Sequence, residues 1–208
     1  FQLGVDQKLL SRTFLVLEAQ LLQSAGARRI GVYDYFPNPS PFFPFSAGPS
    51  ATGTRQSLDF EEKSFAATLN QLVSDEWSLG TRYRISNAEL ETDLPQVPRS
   101  ADPAAHLDER ATLHELNLFA IYQNPAGFFG QVESIWRAQS NRGSDRLLSG
   151  DDFWQFNVFA GYRLPGRRAE FTVGVLNLAD QNYRLNPLNL ANDLPHRRTL
   201  FTSLKFSF

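Results

Sequence analysis

Charged side chains recur in this chain at alternate positions, inside runs that otherwise read as extended strand. Glu18, Arg82, Arg84, Glu115, Glu133, Arg137, Arg163 and Glu170 are the instances. Alternate residues of a strand share one side. These eight are therefore expected to line a polar wall, whose chemistry is ion pairing or the guidance of a polar solute. Hydrolysis has less to work with, because it needs a His beside an Asp or a Ser and the only histidines are His106, His114 and His196. Glu115 follows His114 directly, and neighbours on a strand point to opposite sides, so that pair cannot share a proton. Asp151, Asp152 and Asp193 are candidate calcium ligands but lack the spacing of a known binding loop. Cysteine is absent, which removes disulfides and thiolate metal sites. The expectation is a chain without cofactor or metal and without enzymatic activity.

The elements that must carry these residues alternate with a period of two. Ten strand candidates can be read: 1–8, 13–22, 29–36, 58–73, 77–90, 110–123, 128–139, 152–164, 168–178 and 198–208. A helix competes for 13–24, since Leu, Glu, Ala and Gln favour one. The alternation is clearest at 152–164, where Trp154, Phe156, Val158, Ala160 and Tyr162 oppose Gln155, Asn157, Gly161 and Arg163. Tight turns are expected at Ser11-Arg12, 24–27, 74–76, 124–127 and 165–167, and long loops at 37–57, 92–108, 140–151 and 179–197. Counted back from the C-terminus, long and short connections alternate strictly, except that the first hairpin breaks the rule. The loop 37–57 holds Phe42, Phe43 and Phe45 among its prolines, and would either grip an apolar ligand or fold over as packing.

Composition narrows the class. The 208 residues carry a net charge of -2 and no basic block, so no nucleic-acid partner is expected. No apolar run reaches the roughly 20 residues of a membrane helix, but a membrane strand needs only about 9–11. Eighteen Phe, six Tyr and three Trp are many aromatics for this length, and suit either interfacial girdles or the core of a soluble β-sandwich. Trp77, Trp136, Trp154 and Tyr162 are placed to anchor the two edges of a bilayer. The chain begins with Phe1 in an apparent strand and has no leader, which leads us to expect a piece of a longer protein.

The last residues, RTLFTSLKFSF, put Leu200, Thr202, Leu204, Phe206 and Phe208 on one side of the final strand. This ending resembles the C-terminal assembly signal of outer-membrane β-barrel proteins, with Ser203 where a Gly is usual. Upstream, Asn177, Leu178, Asp180 and Tyr183, followed by Pro195 and Arg197 or Arg198, resemble the region before the last strand of TonB-dependent receptors. Ala179 stands there for a Phe and His196 for a Gly. The segments SLGTRYRISNAEL and GDDFWQFNVFAGYR are also similar to the C-terminal barrel of bacterial proteins that carry periplasmic helical repeats.

These resemblances imply an all-β transmembrane antiparallel barrel in a Gram-negative outer membrane, either of about ten strands or the closing part of a larger wall. They imply solute uptake or transport, with a structural or assembly barrel as the alternative. The partners implied are outer-membrane lipid, the barrel-assembly machinery acting through Phe206 and Phe208, and TonB or other subunits of a larger complex. Inside such a wall the eight charged residues would line a pore, or would pair and fill a narrow interior.

Overall fold

The structure, a computed structural model, describes residues 1–34, 50–143, 150–183, 185 and 197–206. Nine strands form one antiparallel sheet in chain order: β1 Gln2–Leu10, β2 Thr13–Asp34, β3 Ser50–Leu72, β4 Trp77–Asp93, β5 His106–Gln123, β6 Phe128–Arg142, β7 Asp152–Arg163, β8 Ala169–Leu176 and β9 Thr199–Phe206. Among the described residues, the only helical pieces are single turns at Pro103–Ala105 and Pro165–Arg167. The sheet is a meander in which each strand pairs with its sequence neighbours. β1 pairs only with β2 and β9 only with β8, so the sheet does not close on itself.

Nine strands replace the ten expected because the Ser24-Ala25-Gly26-Ala27 turn does not form. All of β2, from Thr13 to Asp34, pairs in unbroken register with β3, from Ser50 to Gln71. Small residues looked like a break, but a partner of equal length holds them extended. The same pairing rules out a helix over 13–24 and moves the start of β3 back to Ser50, inside the stretch expected to be loop. Likewise β5 starts at His106, and β4 and β6 run on to Asp93 and Arg142, which shortens two of the other three expected loops.

The merger also removes the exception in the connections. They span 11–12, 35–49, 73–76, 94–105, 124–127, 143–151, 164–168 and 177–198, alternating short and long throughout. All long connections therefore leave from one edge of the sheet and all short ones from the other.

The two sides of the sheet differ in kind. The outward side carries Leu3, Val5, Phe65, Leu69, Leu79, Leu118, Val132, Phe156, Val158, Leu200, Leu204 and Phe206, all exposed. The other side carries nearly all the buried strand positions, and most are polar or small: Thr54, Gln56, Ser86, Glu109, Gln155 and Asn157, with Ala66, Ala111, Ile135 and Phe153. No large side chain is completely buried among the described residues. A single layer whose polar side is the crowded one curves towards that side.

The outward aromatics fall in cross-strand rows. Tyr83, Leu116, Trp136 and Trp154 are direct neighbours across β4, β5, β6 and β7. Nearer the short connections, Trp77 faces Tyr122 with ring centroids 4.9 Å apart, and Phe128 faces Tyr162 at 4.7 Å. Between the two levels the described outward side holds no charged residue. Trp154 and Tyr162 are eight residues apart. That spacing is ~27 Å along a strand, or ~20 Å of vertical height at a tilt of ~40°. Beyond the upper row β2 to β5 continue, and their outward side turns charged at Asp59, Glu61, Lys63, Glu89, Glu91, Asp108 and Arg110.

Two glycine substitutions separate the strand from the turn at 24–27. A Cβ on Gly26 meets open space. Gly26→Val is expected to leave the urea midpoint unchanged or to raise stability by up to ~1 kcal/mol, because Val suits a strand and Gly does not. Gly80→Val drives a side chain into the ring of Phe119 and should cost ~1–3 kcal/mol. A midpoint lowered more by Gly26→Val than by Gly80→Val would restore the turn.

Candidate polar wall and its latch

All eight charged residues picked out in the sequence share the polar side. Glu18, Ala66, Arg84, Glu115, Arg137 and Phe153 form one continuous row across β2 to β7, with charge alternating from Arg84 to Arg137. Most of the charges meet a partner. Arg82 Nη2 lies 3.1 Å from Glu18 Oε2, Arg137 Nε 2.6 Å from Glu115 Oε2, and Arg163 Nε 2.6 Å from Glu170 Oε2. The Arg163 guanidinium also sits 4.4 Å from the centroid of the Phe129 ring.

Arg84 pairs at 3.0 Å with Glu62, a residue the sequence reading passed over. The alternation of Phe60, Glu62 and Ser64 was the available signal, and it marks Glu62 as facing the same way as Arg84. Its Nε donates to Ser86 Oγ and its Nη2 to Ser64 Oγ as well.

Glu133 differs from the other acids. Its carboxylate accepts from Gln131 Nε2 at 2.6 Å and from Asn157 Nδ2 at 3.1 Å, and among the described residues no cation pairs with it. From there a chain of hydrogen bonds runs towards the long-loop edge. Gln155 Nε2 donates to Asn157 Oδ1 at 2.9 Å, and the Tyr183 hydroxyl donates to Gln155 Oε1 at 3.0 Å.

Tyr183 belongs to a latch formed by residues 177–183. Asn177 is 3 % exposed and takes a left-handed backbone with φ 52°, which Asn tolerates better than most residues. Its amide N–H donates to Asn157 Oδ1, and its side chain exchanges two hydrogen bonds with the backbone of Gln181, at 2.8 and 2.9 Å. The chain thereby folds back over the polar side, and the Tyr183 ring stacks on Phe153 with centroids 4.0 Å apart. Asp180 closes the base of the loop by accepting the Arg198 amide N–H at 2.8 Å. That bond, helped by the Arg197 and Arg198 charges, holds its carboxyl below the usual aspartate range. Burial raises the Tyr183 phenol above the usual tyrosine value. Asn177, Asp180, Tyr183, Arg197 and Arg198 are thus brought together around one turn, and Leu178 donates its amide to Phe156 O.

The histidines are separated. The His106 ring meets the Asp93 carboxylate through Nδ1 and Val97 O through Nε2. His114 points outward, with Nδ1 2.7 Å from the Tyr83 hydroxyl, on the side opposite Glu115. Asp152 accepts from Trp136 Nε1 at 2.6 Å, and Asp151 accepts the Asp152 amide. Among the described residues no group of three or more His, Asp or Glu could hold a metal ion. His196, Asp193, Pro195, Phe208 and the phenylalanines of the 35–49 connection lie outside the described residues. Phe206 is exposed on the outward side, opposite Ala169. Comparisons with protein-family models, with curated proteins and with solved structures find no match.

The latch predicts a pH response. A carboxyl with a depressed folded-state pKa adds stability above its ordinary pKa of 3.8, and that stability is lost as pH falls through the lower folded value. Hydrogen exchange at the Arg198 amide should quicken on acidification below that ordinary value relative to the β7 amides. Asp180→Asn, which keeps an acceptor without a titrating charge, should abolish this pH dependence. Tyr183→Phe should cost ~1–3 kcal/mol, because it strips the buried Gln155 acceptor of its donor. Parallel pH curves for wild type and Asp180→Asn would show that Asp180 does not close the loop.

Proposed function

We propose that this chain forms part of the wall of a transmembrane β-barrel in a Gram-negative outer membrane, and that the barrel passes or takes up a small polar solute. The observation that carries the reading is the inversion of the sheet. Large apolar side chains stand exposed on one side, between two levels of aromatics, while polar ones crowd the other. Bilayer hydrocarbon is the solvent that suits such an exterior, and aromatic girdles flanking an apolar band are the mark of membrane barrels. The strict alternation of short and long connections supports the same reading, with the long ones outside the cell.

Closure sets a condition. An antiparallel meander of nine strands has its first and last strands running the same way, so β1 and β9 could close on each other only in parallel. Antiparallel closure takes an odd number of further strands between them, giving the even total of bacterial barrels. This favours the larger-wall form over a self-contained barrel of ten strands.

The proposed partners are lipid on the outward side and the barrel-assembly machinery at the C-terminal strand, with Phe206 and Phe208 in its signal. The likeness of residues 177–198 to TonB-dependent receptors supports uptake driven through TonB. The polar wall would then be the lumen lining. Its described charges balance: Lys8, Arg28, Arg82, Arg84, Arg137, Arg163 and Lys205 against Asp6, Glu18, Glu62, Glu109, Glu115, Glu133 and Glu170. The pairing of most of them favours a second reading, in which the barrel is a rigid anchor for a larger complex.

Two measurements test this. Val158→Arg puts a charge in the middle of the apolar band and should cost ~2–4 kcal/mol of folding into vesicles, whereas Asn87→Arg, above the upper aromatic row, should cost ~0–1. Equal tolerance at the two positions contradicts the membrane wall. The intact protein in planar bilayers should conduct with little preference between cations and anions, because its lining is balanced. Membrane insertion without conductance would support the anchor.

A further inference from the structure

The polar side holds a cleft of about 410 Å³ between the charged row and the long-loop edge. Sites for small molecules have this scale and combine an apolar surface with a few polar groups. Its floor is formed by Ala88 and Ala111, which sit directly opposite each other across β4 and β5. Phe60 and Leu113 flank that floor, and Leu185 reaches it from the connection that carries the latch. Two alanines in register leave a dimple that any larger side chain would fill.

The polar groups left available lie at two ends. Arg84 stands at the lower edge, and its bonds to Glu62, Ser64 and Ser86 use only Nη2 and Nε. Nη1 therefore remains for an anion. Gln139 lines the cleft on β6, and its Oε1 is buried without a hydrogen-bond partner among the described residues. An unsatisfied buried acceptor is costly and is relieved by a donor. Glu115 also lines the cleft, but it stands directly opposite Arg84 and its Oε2 is taken by Arg137 Nε at 2.6 Å. Arg84 and Gln139 are two strands and one row apart, so their backbones are separated by roughly 12 Å. A tripeptide in extended form spans about 10 Å.

Resting on the polar side being the lumen, we propose that this cleft binds a short zwitterionic peptide. Its carboxylate meets Arg84, its ammonium meets Gln139, and an apolar side chain fills the dimple over Ala88 and Ala111.

The test is calorimetry on the intact protein in detergent, with Gly-Leu-Gly as the probe. Saturable binding is expected. Acetylating the N-terminus, amidating the C-terminus or removing the side chain (Gly-Gly-Gly) should each weaken it about tenfold or more. Ala111→Leu should abolish binding, and Leu185→Ser should weaken it without touching the ion pairs. Arg84→Gln should weaken the zwitterion while leaving the C-terminal amide unaffected. Absence of saturable binding overturns the proposal, as does equal binding of the capped peptides or indifference to Ala111→Leu. Insertion of each variant into vesicles is measured alongside. A protein that inserts but ignores the peptide defeats the peptide site alone, and a protein that does not insert defeats the membrane wall and the site with it.

Discussion

The backbone ladder is the constraint on which the rest depends. In hydrocarbon an unpaired N–H or C=O has no water to turn to, so a wall that meets lipid must satisfy its backbone within the sheet. The long registers between β2 and β3, β3 and β4, and β4 and β5 do this residue after residue. Once the ladder is fixed, alternation assigns every side chain to one side or the other. A slip of one residue would carry the whole apolar set inward. The unpaired outer edges of β1 and β9 are where the ladder stops, and an open edge is a template for another strand.

The polar side follows from the same constraint. Charges excluded from the outward band gather on the inner side, where they are only partly exposed and stand in adjacent strands. The row from Arg84 through Glu115 to Arg137 alternates in sign, so each cross-strand neighbour is attractive. Opposite charges directly across a sheet contribute roughly 0.2–1 kcal/mol per pair. Half-exposed pairs of this kind are worth little singly, and their larger effect is to hold the register of neighbouring strands. Phe153, at the end of this row, stacks on Tyr183, and Glu133 is joined to the same tyrosine through Asn157 and Gln155, so both reach the latch. Loop, wall and register are in that way mechanically continuous.

Much of this was legible in the sequence, because a period of two needs no long-range information. The sides of 77–90, 110–123 and 152–164 follow directly from alternation, and so does the shared orientation of the eight charges. The separation of His114 from Glu115 was legible for the same reason. The turn at 24–27 was not. Ser-Ala-Gly-Ala has the composition of a break, and only the equally long partner strand overrides it. Strand ends at Ser50, Asp93, His106 and Arg142 were missed because charged and small residues continue past the apolar band, where alternation carries no contrast. The latch was half legible. Its residues stood out by resemblance, but the stacking of Tyr183 on Phe153 joins positions far apart in the chain.

The central claim is that lipid, and not protein, covers the outward side. The chain has no cysteine, so single cysteines can be placed along β7 from Phe153 to Ala160 and spin-labelled in the protein reconstituted into bilayers. Relaxation by oxygen, which concentrates in hydrocarbon, should then be high at 154, 156, 158 and 160 and low at 153, 155, 157 and 159. A water-soluble nickel chelate should give no matching enhancement at the four outward positions. Outward labels shielded from both reagents, or reached by the chelate, would place protein or water over that side and contradict the account.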